Sequence, residues 1–293
     1  MKKLLPAFTA LFLIVFLTSC KDRNSGFFSG DVTVKTYKYH YNDARVSPAV
    51  PAGSEYQNDD DSVHISVSLD LDLPEGNSVM AQRIREWVSE QISANNSLGK
   101  MHFEGNLGDA QAIADFYGKE IVKTIEDDIE PPIFNGYRSI EITASKHFEN
   151  SKCVTWFFTV FEFMGGAHPS HMAYGATFRK SDGRIFGHDM VSSDWNDRQK
   201  LDSLIIDGLC EYFSDGEGEK VDSETVIHEY TTEGIGEMSV ALPQYGPWFT
   251  STGVSFLYQQ YEITAYAFGM PEFTIPYDKM KGLLTPAAAD LLK

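Results

Sequence analysis

Val63-His64-Ile65-Ser66-Val67-Ser68-Leu69-Asp70-Leu71-Asp72-Leu73 alternates apolar and polar residues along its whole length. Side chains on a strand point to opposite faces in turn, so Val63, Ile65, Val67, Leu69, Leu71 and Leu73 share one face, and His64, Ser66, Ser68, Asp70 and Asp72 share the other. One face is buried and one is wet, and His64 lies in the wet row. After Pro74-Glu75-Gly76 the period becomes helical: Met80, Ile84, Trp87, Val88 and Ile92 form a stripe behind a cap at Asn77 or Ser78. Beyond a glycine-containing break, Ala110, Ile113, Ala114, Tyr117, Ile121 and Ile125 line the buried face of a second helix. Trp87 and Tyr117 sit at core spacing. A half-buried strand followed by two helices with apolar stripes predicts an α+β fold, an antiparallel β-sheet with helices packed on one face.

The same pattern extends outward in both directions. Asp31 to Tyr41 alternates as a first strand, and Ser47 to Asp61, with Pro48, Pro51, Gly53 and Asp59-Asp60-Asp61, reads as a solvated loop rather than a calcium site. Downstream, Tyr137 to Phe148 and Cys153 to Met164 face each other across Glu149-Asn150-Ser151. The second of these is apolar on both faces, which is how a central strand covered by helices reads. Glu162 interrupts it, and a carboxylate there either lies at the sheet end near water or is buried with a raised pKa. Gly165-Gly166-Ala167-His168-Pro169 breaks the sheet, its glycines supplying positive φ or close packing, and Met172 to Arg179 resumes it. Asp194 or Asn196 caps a third helix. Ser214 to Glu224 is an acidic loop without the glycine an EF-hand needs. Thr252-Gly253 turns into an extended stretch from Val254 to Glu262, and Thr285-Pro286 opens a terminal helix.

The N-terminus has a different character. Lys2 and Lys3 precede an apolar run from Leu4 to Leu17, and Leu17-Thr18-Ser19-Cys20 closes it, which is the order of an export signal and cleavage site. The run is shorter than the roughly 20 residues of a spanning helix. Leu-Thr-Ser-Cys resembles a bacterial lipobox, which implies lipidation of Cys20 and a stable anchor from several acyl chains. Residues 1–19 are then a signal peptide and 20–30 a tether. The expected location is the cell envelope, at the outer membrane, on its periplasmic or surface side. The remaining chain suffices for one large domain or two subdomains, divided as 31–136 and 137–293.

The formal charge of −18 excludes nucleic acid as a partner, because the chain lacks the Lys and Arg that phosphate neutralisation requires. A cationic partner fits better, although acidity also serves solubility. Cys153 and Cys210 both lie in apolar periodic segments, where free thiols are expected over a disulfide.

Catalytic motifs are missing: there is no Gly-x-Ser-x-Gly elbow, His-Glu-x-x-His helix, Walker loop or dinucleotide fingerprint. Cys153 sits mid-strand, the wrong setting for a reactive thiolate. His168 and His171 could hold a metal with Glu162, giving a metal-dependent hydrolase of cell-wall polysaccharide as the alternative function. No third ligand follows a recognisable spacing, so turn residues are the plainer reading and no cofactor is expected.

Three segments carry a resemblance. Phe163-Met164-Gly165-Gly166-Ala167-His168-Pro169 with Ser181-Asp182-Gly183-Arg184, then Phe249 to Val254, then Tyr261 to Gly269 with Phe273 to Tyr277, resemble the RsiV-like extracytoplasmic domain family in order and content. The resemblance covers Tyr137 to Leu292, and the preceding segment resembles the companion domain that usually comes before it. In that family one member senses lysozyme as part of an anti-sigma factor and another precedes a peptidoglycan deacetylase. No sigma-binding or deacetylase segment is present here. The resemblance therefore implies an α+β fold and a non-catalytic binding role, for a cationic protein of the lysozyme kind or a peptidoglycan fragment. The motif positions Gly165, Gly166, His168, His171, Trp248 and Tyr266 are the candidate binding residues, with the lipid on Cys20.

Overall fold

The computed structural model describes residues 30–46, 62–128, 136–214, 220–231 and 240–293. Cys20 with its signal, and the Asp59-Asp60-Asp61 loop, lie outside the described residues.

The architecture is α+β. Six strands form one sheet in sequence order: β1 (Val34–Val46), β2 (Ser62–Pro74), β3 (Gly136–Glu149), β4 (Cys153–Phe163), β5 (Ser170–Arg179) and β6 (Ile185–Phe186). Between β2 and β3 the chain passes through α1 (Val79–Ala94) and α2 (Ala110–Asp127). That crossover brings β3 back parallel to β2, while every other neighbouring pair in the sheet is antiparallel. A parallel pair cannot be closed by a tight turn, and the two helices supply the required length. The expected boundary at residue 136 falls at the first residue of β3, and the segments on either side build one continuous sheet.

The alternation that opened the sequence reading sets the layers. Val63, Ile65, Val67, Leu69, Leu71 and Leu73 are all buried under α1 and α2, and His64 is exposed. Ser78, not Asn77, caps α1 by accepting from the Ala81 N–H at 3.1 Å, and Asp109 caps α2 in the same way. Trp87 meets Phe158, Tyr174 and Phe178 edge-on, at 5.6–6.2 Å between centroids.

The other face of β4 is covered by different material. Strands β7 (Trp248–Phe249), β8 (Gly253–Leu257) and β9 (Glu272–Pro276) form a second, antiparallel sheet, and α3 (Trp195–Phe213) packs with it. Trp248 lies against Phe157 and directly over Gly175, where a Cβ would fall 2.3 Å from the indole Cγ. Asp194 caps α3, accepting from the N–H groups of Asn196 and Asp197. Helices thus cover β4 on one face only, with the small sheet on the other. The extended stretch expected from Val254 to Glu262 ends at Leu257, because the chain turns at Gln259 to Glu262 to meet β5.

At the β3–β4 turn end of the sheet, the first described residues are gripped by an ionic cluster. Glu149 accepts from the Val32 N–H at 2.7 Å and pairs with Lys180 at 2.6 Å and Lys146 at 2.9 Å. The same two ammonium groups donate to the carbonyls of Gly30 and Val32. Burial pushes the Glu149 carboxyl up, but the two lysines and the Val32 amide outweigh it and hold the group below the usual glutamate range. A carboxylate with a depressed folded pKa stabilises fully above its unfolded value of 4.5, and that contribution is lost as pH falls through the folded value. Glu149→Gln is therefore expected to cost about 3 kcal/mol near neutral pH. The gap from wild type should close on acidification below pH 4.5, as read by urea unfolding across pH.

Candidate functional site

The opposite end of the sheet holds the β4–β5 turn. Gly165 and Gly166 have φ of +89° and +110°, the left-handed geometry the sequence anticipated. The turn projects His168 into solvent. Its imidazole stacks on Tyr266, with 3.9 Å between centroids and 26° between planes. Its Nδ1 lies 3.0 Å from the Pro169 carbonyl and its Nε2 lies 3.0 Å from the Tyr261 hydroxyl. A carbonyl can only accept, so Nδ1 carries the proton, and in the neutral ring Nε2 accepts from the Tyr261 O–H.

Tyr261 is 60% exposed and has φ of +64°, the one positive φ outside glycine among the described residues. Its neighbours force that conformation. β6 pairs with β5 only at Thr177 and Phe178, so the nearer half of the β5 edge lacks a strand partner. Side-chain amides fill the vacancy: Gln260 Oε1 accepts from the His171 N–H at 2.8 Å, while Gln259 accepts from the Ala173 N–H and donates to the Ala173 carbonyl. Glu262 then closes the turn, accepting from the N–H groups of Gln259 at 2.7 Å and Gln244 at 2.5 Å. Burial raises the Glu262 carboxyl, partly offset by those two bonds. With residues 259, 260 and 262 each committed, the backbone at 261 has little choice, and its ring is thrown outward.

The candidate residues divide accordingly. Gly165, Gly166, His168 and Tyr266 come together at the surface. His171 joins them only through its backbone; its ring sits edge-on to Phe161 at 4.8 Å. Trp248 is 1% exposed and belongs to the core, where it holds the small sheet against β5. Glu162 points to the other face of the sheet from Phe161 and His171, since alternate residues of a strand face apart. His168, His171 and Glu162 are not gathered, and among the described residues no three His, Cys, Asp or Glu are placed to hold a metal. Glu162 meets both of its sequence readings: it lies at the sheet end, yet burial raises its carboxyl, with one N–H from Ser97 at 3.2 Å offsetting this in part. Both thiols are free, and burial pushes that of Cys153 up to about 12.

Tyr261, Gln259 and Gln260 were missed as site residues. The only available signal was that Tyr261 lies in the third resembling segment.

Residues 245–278 match the family model of DUF3298, a protein family of unknown function. The matched segment contains Trp248, the whole of β7–β9 and the Tyr261–Tyr266 surface. Two crystal structures of DUF3298 family members share the fold. One, from Bacteroides fragilis, has a TM-score of 0.59 at 16% identity and covers 89% of this chain and 98% of that one. The other, from Pseudomonas aeruginosa, has a TM-score of 0.54 at 15% identity and covers 89% and 97%. At such identities the likeness is one of fold. No curated protein matches the sequence significantly.

The strain at position 261 is measurable. Tyr261→Gly and Tyr261→Val both lose the bond to His168, but Tyr261→Val should be the less stable by about 1–2 kcal/mol, since a branched side chain tolerates positive φ least. Paired chemical-denaturation curves check this.

Proposed function

We propose that this protein is a cell-envelope lipoprotein, anchored through Cys20, with a non-catalytic binding role exercised at the β4–β5 turn. Its ligand is a peptidoglycan-related glycan. The observation that carries the reading is the exposed aromatic shelf: Tyr261 held outward in a strained conformation beside the stacked His168 and Tyr266 rings. Aromatic rings with polar edges supply flat apolar contact and hydrogen bonding together, the combination that a sugar ring's alternating faces require. Local strain of this kind is retained at functional sites.

The RsiV-like resemblance supports an envelope role, and the lipobox-like segment supports an outer-membrane address. With lipid on Cys20, the Glu149 cluster would hold the tethered end of the domain at the pole opposite the shelf. Strand β4 separates the two poles by 11 residues, or about 35 Å at the usual strand rise. The shelf would then face away from the bilayer.

A cationic protein of the lysozyme kind is the second reading, favoured by the charge of −18, which would accelerate its capture. Calorimetric titration with chitooligosaccharides and muropeptides, and separately with lysozyme at low and high salt, decides between them. On the glycan reading, Tyr266→Ala and His168→Ala each weaken glycan binding about tenfold, the equivalent of ~1.4 kcal/mol. Binding of neither glycan would remove that reading, and a tight, salt-sensitive lysozyme isotherm would install the second.

A further inference from the structure

On the helix-covered face of the sheet, behind the same turn, a cavity of 240 Å³ opens between the end of α1 and strands β4 and β5. Glu162 is the one titratable side chain lining it; Asn96, Ser97 and Ser170 contribute further polar groups, and Val160 and Met172 contribute apolar wall. The half-buried Glu162 carboxylate receives a single hydrogen bond, from the Ser97 N–H to Oε2. No cation faces it among the described residues: no ion pair includes it, and the only influences on its ionisation are burial and that N–H. The adjoining end of α1 has its Gln91 and Ile92 carbonyls met only by neutral donors, the side-chain amides of Asn95 and Asn96 and the Asn95 N–H. A helix C-terminus carries roughly half a negative charge, normally met by Lys, Arg or His in the last turn, and here that turn holds no basic residue.

Two sources of negative potential thus converge on one depression whose lining holds no cationic side chain among the described residues. Burying a carboxylate without a counter-charge is costly, and such a group is retained where a ligand completes it. We propose that this cavity binds a primary ammonium carried on a short aliphatic stem. The ammonium donates to Glu162 Oε1 and to the neighbouring Asn and Ser oxygens, which matches three donors radiating from one point. A guanidinium fits less well, because its planar fork favours both carboxylate oxygens and Oε2 is already engaged by Ser97. A metal ion fits less well still, as one carboxylate does not make a coordination shell. Val160 and Met172 take the methylenes of the stem. The socket lies on the other face of the sheet from the aromatic shelf and does not depend on the glycan reading.

The source of the amine is either a free diamine or a lysine-type side chain on a peptide. The test therefore titrates purified full-length protein with 1,4-diaminobutane, with an N-acetyl-Ala-Lys-Ala-amide peptide, and with the same peptide acetylated on its lysine. The binding readouts are calorimetry and the NMR shift of the Ser97 amide. At least one amine should bind and move the Ser97 resonance, the tighter of the two naming the source, while the acetylated peptide should do neither. Glu162→Gln should weaken binding at least tenfold while Tyr266→Ala leaves it unchanged. Binding should also fade on acidification, as Glu162 protonates. The proposal is overturned if neither amine shifts Ser97 in the wild-type protein, or if the acetylated peptide binds equally well. The Ser97 readout stands even if Glu162→Gln fails to fold.

Discussion

Strand β4 must be buried on both faces, and the rest of the fold is arranged to meet that demand. Val154, Trp156, Phe158 and Val160 need cover on one side, and Cys153, Thr155 and Phe157 need it on the other. At about 25 cal/mol per Å² of apolar surface, leaving either row in water would forfeit more than a marginally stable domain can spare. The chain answers with two unlike layers. A helical pair inserted between β2 and β3 covers the first face, and a second small sheet backed by α3 covers the second. Gly175 is the point at which the second layer makes its closest approach, because any side chain there would hold Trp248 off the sheet.

The two ends of β4 then acquire different characters. At one end the sheet closes on a buried ionic cluster that fixes Gly30 to Val32. At the other, the short β6 leaves the edge of β5 unpaired. Unpaired strand edges invite association with other chains, and proteins cover them with whatever is at hand. Here the cover is two glutamine side chains standing in for a strand. The geometric consequence is Tyr261, pushed outward because its neighbours on both sides are tied down. The aromatic shelf is thus a by-product of edge protection. It explains why the β4–β5 turn and the Tyr261–Gly269 segment, nearly a hundred residues apart, depend on each other.

Much of the local structure was legible. Alternation in β2, the two apolar faces of β4, the caps at Ser78 and Asp194, and the positive φ of Gly165 and Gly166 all depend on interactions within a few residues of one another. The facing of Glu162 away from His171 was contained in the alternation too, but only the β4–β5 register, which pairs Phe161 with His171, makes the separation certain. The candidate site was legible in half: Gly165, Gly166, His168 and Tyr266 meet at the surface, while Trp248 serves the core.

By itself the sequence determined the class of fold, the elements and their buried faces, since periodicity and capping are local and each residue carries its own preference. Tertiary structure alone decided which strands became neighbours and which way they ran. It also decided that Val254 to Glu262 would stop being a strand at Leu257, that Tyr261 would adopt a left-handed backbone, and that Glu162 would face Asn96 and Ser97 at the end of α1 rather than two histidines. Those outcomes depend on long-range pairing between segments whose local preferences are silent about one another, and only the closed sheet brings them within reach.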